Sequence, residues 1–250
     1  MGVPAVCTGV PAEDDRTAGD GGMSTDLKTL AEEANERLAD ASAQELLAWA
    51  RETFGDDLVV TASMADGALP HLAAEAAPGV DVLFLDTGYH FAETIGTRDA
   101  VAATLPINLI NALPKQTVEE QNAEYGEKLY ARDPDKCCAL RKVEPLNRYL
   151  SGYKAWVTGI RREEAPTRAN TPVVEYDAKR DMVKLNPLAP WTQEDLDTYI
   201  ADNGVLVNLL QYDGYPSIGC EPCTQRVAPG EDPRSGRWAG QGKIECGLHT

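Results

Sequence analysis

Short apolar runs alternate with stretches of helical periodicity through most of this chain, and this alternation restricts its fold more than any other feature. The apolar runs have the length and composition of buried strands, and they occupy residues 58–61, 80–85, 107–110 and 155–158. Helical spacing is typical of residues 26–38, 90–104, 117–127, 135–150 and 192–203. Strands that alternate with helices predict a mainly parallel sheet covered on both faces. We therefore expect a single Rossmann-like α/β domain.

The same patterns divide the chain into three segments. Residues 1–24 are rich in Gly, Pro, Ala, Asp and Thr, lack apolar periodicity, and predict a disordered tail that contains Cys7. Residues 25–215 form the α/β domain, in which Ser42 with Glu45, and Thr192 with Asp195, are typical of helix starts. Residues 216–250 are rich in Gly, Pro, Cys and Arg and predict a loop-built C-terminal segment.

The charge balance excludes nucleic acid as a partner. The formal net charge is −17 at pH 7, whereas non-specific nucleic-acid binding depends on a surplus of Lys and Arg. The first residues lack the basic and apolar regions of a secretory signal. The sequence also lacks an apolar run of the length that a membrane-spanning helix needs. We expect a cytoplasmic protein without a membrane anchor, and the sequence is compatible with a homo-oligomer.

Four cysteines form two close pairs, which are the strongest chemical signal in the sequence. Cys137 and Cys138 are adjacent, and Cys220 and Cys223 stand in a Cys-x-x-Cys. Four thiolates fit an iron–sulfur cluster or a tetrahedral zinc ion. Adjacent cysteines cannot form the turn that aims both sulfurs of a Cys-x-x-Cys at one ion, which favours a multi-iron centre. Buried thiols and a thioredoxin-like redox pair are the alternatives.

Cys246 stands apart from these pairs. A catalytic thiol has to be accessible and is activated as the thiolate by neighbouring cations. Arg234, Arg237 and Lys243 are close to Cys246 in the sequence. Cys246 is therefore a candidate nucleophile, and an unspecialised surface cysteine is the alternative reading.

A basic stretch in this acidic chain predicts an anionic ligand. Residues 136–168 carry eight basic and three acidic residues, and Arg can bind phosphate or sulfate oxygens through two hydrogen bonds. A solvated helix face is the alternative explanation. The loops that follow the first, second and fourth predicted strands, at Ser63, Leu85 and Thr158, are placed as nucleotide-binding loops are in parallel sheets.

Four motifs, in this order, resemble the assimilatory adenylyl-sulfate reductases of bacteria, which belong to the phosphoadenylyl-sulfate reductase family. They begin at Cys137, Ile218, Arg234 and Glu245, and they read CCALRKVEPL, IGCEPCT, RSGRW and ECGLH. Residues 85–88 and 158–168 are also similar to that family. The resemblance covers residues 40–250.

This resemblance implies an adenine-nucleotide α-hydrolase-like fold and one 4Fe-4S cluster bound by Cys137, Cys138, Cys220 and Cys223. It implies that Cys246 attacks the sulfur of adenosine 5′-phosphosulfate, that AMP leaves, and that thioredoxin releases sulfite from an enzyme S-sulfocysteine. The reaction belongs to sulfate assimilation and cysteine biosynthesis. The substrate-binding residues that the resemblance implies are Ser63, Leu85, Thr87, Gly88, Lys142, Gly159, Arg168, Arg234, Arg237 and His249.

Reduction of 3′-phosphoadenosine 5′-phosphosulfate is the nearest alternative function. Reductases that prefer this substrate lack the two cysteine pairs and keep the terminal cysteine, so the pairs favour the substrate without the 3′-phosphate. A zinc-stabilised or nucleotide-binding module without turnover is a second alternative. An ATP pyrophosphatase is disfavoured, because Met64 and Ala65 stand where its Ser-Gly-Gly-x-Asp-Ser loop has glycines.

Overall fold

The computed structural model describes residues 23–240, 243 and 245–248. Cys7 and His249 lie outside these residues, as do residues 1–22 of the predicted tail. The first helix begins at Met23, so the last two residues of the predicted tail are helical.

Six strands form one sheet in the order β3-β2-β1-β4-β6-β5. All neighbouring strands are parallel except β5 and β6, which pair antiparallel at one edge. This arrangement confirms the mainly parallel sheet expected from the sequence. The strands are Leu58–Thr61 (β1), Asp81–Leu85 (β2), Asn108–Ala112 (β3), Ala155–Val157 (β4), Val174–Asp177 (β5) and Met182–Leu185 (β6).

Helices cover both faces of the sheet. They are Met23–Arg37 (α1), Ala43–Phe54 (α2), Ala68–Ala76 (α3), Ala92–Thr104 (α4), Val118–Tyr125 (α5), Leu129–Arg132 (α6), Pro134–Cys138 (α7), Glu144–Leu150 (α8) and Gln193–Asn203 (α9). A π-helical turn, Ala139–Val143, joins α7 to α8. None of the helices in the described part of the chain is long and apolar enough to cross a membrane.

The strands are apolar on both faces because each face packs against helices. Val60 and Val82 belong to a buried cluster that includes residues of α1, α2 and α3. Val59 and Leu83 point to the opposite face, where they pack in a second cluster with Leu146 of α8. This packing fixes α8, which follows the helix of the first cysteine pair, against this face of the sheet.

Two features of the fold differ from the sequence prediction. The helix predicted over residues 135–150 consists of α7, the π-helical turn and α8. β5 and β6 were not predicted, because Lys184 interrupts the apolar run of β6. In the structure this lysine is only 6% exposed, and its charge is paired with Glu175 of β5 at 2.8 Å.

Candidate active site

Three loops meet at the carboxyl ends of the central strands. The order of the sheet reverses at β1, with β2 on one side and β4 on the other, and ligands of parallel sheets bind outside the strand ends at such a point. Ser63 follows β1, Thr87 and Gly88 follow Leu85 at the end of β2, and Gly159 follows β4. The structure thus brings these five predicted residues to one edge of the sheet.

The loop between β1 and α3 uses two of its amide groups within the protein. The Ala68 amide donates a hydrogen bond to Asp66 Oδ1 at 3.0 Å, and the Gly67 amide donates to the Leu206 carbonyl at 2.8 Å. Burial raises the pKa of Asp66. The amides of Gly67 and Ala68 are therefore already used within the protein.

The four paired cysteines line one pocket, which we call the cysteine pocket. Cys137, Cys138 and Cys220 are buried, and Cys223 is partly buried. The structure brings together two pairs that are far apart in the sequence. The pocket is also lined by Tyr89, Tyr130, Pro134, Arg141, Lys142 and Trp238.

A short, capped helix holds the first pair. Asp133 caps α7 by accepting a hydrogen bond from the Lys136 amide at 3.0 Å, and Pro134 begins the helix. Cys137 and Cys138 are its last two residues. The wider π-helical turn that follows carries Arg141 and Lys142, and such turns occur frequently at functional sites.

Backbone hydrogen bonds hold the second pair in place. The Cys223 amide donates to the Cys220 carbonyl at 3.0 Å, and the Trp238 amide donates to the Cys223 carbonyl at 2.9 Å. The Glu221 amide donates to the Tyr89 carbonyl at 2.7 Å. The loop after β2 and the C-terminal segment are therefore joined at the Cys-x-x-Cys.

The thiols of the cysteine pocket influence one another's protonation. Burial, with added repulsion from the sulfurs of Cys138 and Cys220, raises the pKa of Cys137 to about 12. Burial likewise raises the pKa of Cys223 to about 11. Metal ligation takes the place of the thiol proton, and four thiolates are the donor set of iron–sulfur clusters and of structural zinc.

The described residues contain no group of three or more His, Cys, Asp or Glu side chains in an arrangement that could hold one metal ion. By the chemistry of its donors, the pocket fits a four-thiolate centre.

Arg141 is a buried cation at the wall of the cysteine pocket, only 3% exposed. Its Nε donates to the Thr87 carbonyl, and its Nη1 donates to Gln121 Oε1 at 3.1 Å. The guanidinium also lies over the ring of Tyr89, 5.2 Å from the ring centroid. The Thr87 hydroxyl is 3.3 Å from Cys220 Sγ. Thr87, predicted to bind substrate, therefore contacts the cysteine pocket in this structure.

Lys142 lines the cysteine pocket and also interacts electrostatically with the tail cysteine, Cys246. Burial lowers the pKa of its ammonium group, but the nearby sulfurs of Cys220, Cys246 and Cys138 together raise it by more. Cys246 is partly buried and also interacts electrostatically with Arg237. The structure therefore places Cys246 within electrostatic range of two cations, which can also bind an anionic ligand.

The Arg237 guanidinium lies against Gly219, where any Cβ would overlap it. Its Nη1 donates to Ser217 Oγ and to the Ile218 carbonyl, both at 3.3 Å. Its Nε is buried and has no hydrogen-bond partner in the described part of the chain. Burial and the nearby Arg234 lower the pKa of Arg237. A buried guanidinium with an uncommitted N–H is suited to binding an anion.

Arg168 and Arg234 contact the carboxylate of Glu245, the residue that precedes Cys246. The structure thus gathers these two predicted arginines at the tail. It places Lys142 in the lining of the cysteine pocket and Arg237 against Gly219, the residue before Cys220. Sequence reasoning assigned no role to Glu245, and it counted Arg141 only among the basic residues that predict an anionic ligand. The sequence contained one signal for each, because Glu245 adjoins Cys246 and Arg141 adjoins Lys142.

This chain is similar to known proteins over most of its length. Residues 57–226 match the phosphoadenosine phosphosulfate reductase domain. The chain is 62% identical over 224 residues to adenosine 5′-phosphosulfate reductase from Streptomyces coelicolor, with 90% of this chain and 95% of the relative covered. It is 60% identical over 225 residues to adenosine 5′-phosphosulfate reductase from Mycolicibacterium smegmatis, with the same coverage of both chains.

A solved structure is similar as well. It is the crystal structure of phosphoadenylyl-sulfate reductase from Candida auris in a phosphate complex. The TM-score is 0.67 at 30% sequence identity, and the match covers 79% of this chain and 96% of that chain.

Proposed function

Since this chain belongs to the phosphoadenosine phosphosulfate reductase family, we propose that it reduces adenosine 5′-phosphosulfate to sulfite and AMP. The relatives named for this substrate, at 62% and 60% identity, support the proposal. The reaction would serve sulfate assimilation and, through sulfite, cysteine biosynthesis. The observation that carries the proposal is the placement of the tail: Arg168 and Arg234 bind Glu245, and the adjacent Cys246 lies within electrostatic range of Lys142 and Arg237.

In the proposed first step, the Cys246 thiolate attacks the sulfur of the sulfo group. A new S–S bond forms as the bond from that sulfur to the phosphate oxygen breaks, and AMP leaves with the electron pair. Cys246 then carries a sulfonate group, which is covalent catalysis divided into two steps. Lys142 and Arg237 have the charge and the placement to bind the anionic oxygens of the substrate.

In the proposed second step, a thiolate of reduced thioredoxin attacks Cys246 Sγ and releases sulfite. The mixed disulfide is resolved by the second thiol of thioredoxin, which returns Cys246 as a thiol and leaves thioredoxin oxidised. The dithiol supplies both electrons. This step requires Cys246 to become accessible to a protein partner.

We further propose that Cys137, Cys138, Cys220 and Cys223 hold one 4Fe-4S cluster. The two pairs line one pocket, and four thiolates are the ligand set of such clusters. When bound, the cluster supplies fixed charge and a link between the two cysteine segments. Lys142 interacts with Cys138 and Cys220 of this pocket as well as with Cys246, so it connects the pocket to the reacting thiol.

Intact-mass measurement after mixing the purified protein with adenosine 5′-phosphosulfate, without reductant, tests the first step. We expect a sulfonate added at Cys246, which reduced thioredoxin then removes as sulfite. A protein that leaves the substrate intact with reduced thioredoxin present would refute the proposed function.

A second candidate substrate is 3′-phosphoadenosine 5′-phosphosulfate, because the similar Candida auris structure is named for that activity. Measurement of kcat/KM on both substrates separates the two candidates. We expect a preference for adenosine 5′-phosphosulfate, and a preference for the 3′-phosphorylated substrate would overturn the assignment.

A further inference from the structure

A forked ion pair holds the chain next to Cys246. Arg168 Nε donates to Glu245 Oε1 at 2.9 Å, and Arg168 Nη2 donates to Glu245 Oε2 at 2.8 Å. Thr167 Oγ1 donates to Oε1 at 3.2 Å, and Arg234 Nη2 donates to Oε2 at 3.3 Å. Both carboxylate oxygens of Glu245 are therefore bound by the body of the protein.

Leu248 provides a second anchor on the other side of Cys246. Its side chain packs against the buried cluster that contains Val59 and Trp156, and its carbonyl accepts a hydrogen bond from Arg180 Nη2 at 3.1 Å. Cys246 lies between the Glu245 and Leu248 anchors, so these contacts determine where its sulfur lies relative to Lys142.

The ion pair at the Glu245 anchor differs from an ordinary surface ion pair in its burial and in its geometry. The side chains of Arg168 and Glu245 are only 14% and 19% exposed, and a two-bond fork fixes orientation as well as distance. Arg168 is also held by Glu164 through its Nη1, which prevents the guanidinium from turning away. An ion pair is non-covalent, so it can break and form again.

We propose that Glu245 is a positioning residue: its ion pair with Arg168 docks the tail so that Cys246 faces the substrate, and release of that pair exposes Cys246. This inference rests on the proposed function of Cys246. Sulfonation needs the thiol inside the site, whereas thiol–disulfide exchange needs the sulfur accessible to the reductant. A reversible anchor one residue from the nucleophile allows both states.

Labelling of Cys246 in the holoenzyme with a maleimide-linked polyethylene glycol tests the docked state without turnover. We expect Glu245→Gln to be labelled several-fold faster than the native protein. Arg168→Lys keeps the charge but loses the fork, and we expect it to be labelled faster as well. Glu52→Gln is the matched control, because it removes the same charge from an exposed position of α2. We expect it to be labelled at the native rate. Labelling of Cys246→Ser gives the background from the other thiols.

The two half-reactions supply the second readout. In Glu245→Gln we expect formation of the sulfonated enzyme to slow about tenfold. We expect thioredoxin to release sulfite from the isolated sulfonated variant at least as fast as from the sulfonated native protein. Native labelling rates in both variants, or equal slowing of both half-reactions, would overturn the proposal. If the native protein forms no sulfonate, the proposed function fails, and the labelling rates still decide whether Glu245 docks the tail.

Discussion

Cys246 lies within electrostatic range of Lys142 and Arg237, and it is the proposed nucleophile that attacks the substrate sulfur. Cys246→Ser keeps a polar group of similar size but removes this nucleophile. We expect the variant to form neither sulfite nor sulfonated protein, with adenine-nucleotide binding retained in calorimetry. Cys7→Ser is the matched control and should behave as the native protein. Sulfite production by Cys246→Ser would exclude Cys246 as the nucleophile.

Lys142 gives a second prediction at the residue scale. Its ammonium interacts with sulfurs of the cysteine pocket and of the tail, so Lys142→Ala removes the charge between them. We expect the rate of sulfonation to fall about 100-fold, the usual effect of losing one well-placed donor to developing negative charge. Single-turnover mass measurement checks the rate, and metal analysis should find the iron content unchanged.

Lys136→Ala is the control for Lys142→Ala. Lys136 lies in the same helical segment, but it is exposed and lies over the ring of Tyr125. We expect near-native rates from this variant. Loss of iron in Lys142→Ala would instead give Lys142 a structural role.

At the scale of elements, the loop after β2 depends on glycine. Gly88 has a φ of +71°, and a Cβ there would lie 3.0 Å from Arg141 Nη2 and 3.1 Å from Val118 Cγ2. A side chain in the left-handed region costs roughly 1–2 kcal/mol before any clash is counted. We expect Gly88→Ala to lower the free energy of unfolding by about 2 kcal/mol in urea denaturation.

Gly96 provides a control, because its substitution by Ala should change the free energy of unfolding in the opposite direction. It lies within α4, and a Cβ there would meet nothing within 4 Å. Ala is a better helix former than Gly by roughly 0.5–1 kcal/mol, so Gly96→Ala should raise the free energy of unfolding. Equal effects of the two substitutions would show that the left-handed backbone at Gly88 is not what the loop requires.

The sequence predicted helix starts whose stability depends only on residues close by in the chain. The hydroxyl of Ser42 and that of Thr192 cap α2 and α9 in complete capping boxes, as the sequence indicated. The sequence could not predict the burial of Lys184. That burial depends on an ion pair with Glu175, and Glu175 lies on β5, which pairs with β6 only in the folded chain. The π-helical turn after Cys138 likewise has no local sequence signature, since its residues are compatible with an ordinary helix.

For the whole molecule, the cysteine pocket joins α7 to the C-terminal segment. A bound metal centre therefore contributes to folding, because binding to the folded state stabilises it. We expect anaerobic removal of iron with a chelator to lower Tm by several degrees in calorimetry and to abolish sulfonation. Metal analysis of the purified protein should find iron, and zinc without iron would contradict the proposed cluster.

The family inferred from four short motifs is confirmed by relatives that match 90% of the chain. The motifs predicted residues for the site, and they carried no information on how the tail reaches it. The Glu245–Arg168 contact joins residues from distant parts of the chain, and sequence spacing carries no information about such a contact. Cys246 was predicted from its type and its neighbours, whereas its docked position follows from the fold.

The separation of the two cysteine pairs has a consequence for biosynthesis. Cys137 and Cys138 leave the ribosome before β4, β5, β6 and α9 have been made, and Cys220 and Cys223 follow only after them. A nascent chain at that stage presents half of a ligand set and lacks part of its sheet. Binding of the proposed cluster by all four thiolates must therefore await synthesis of the chain through Cys223.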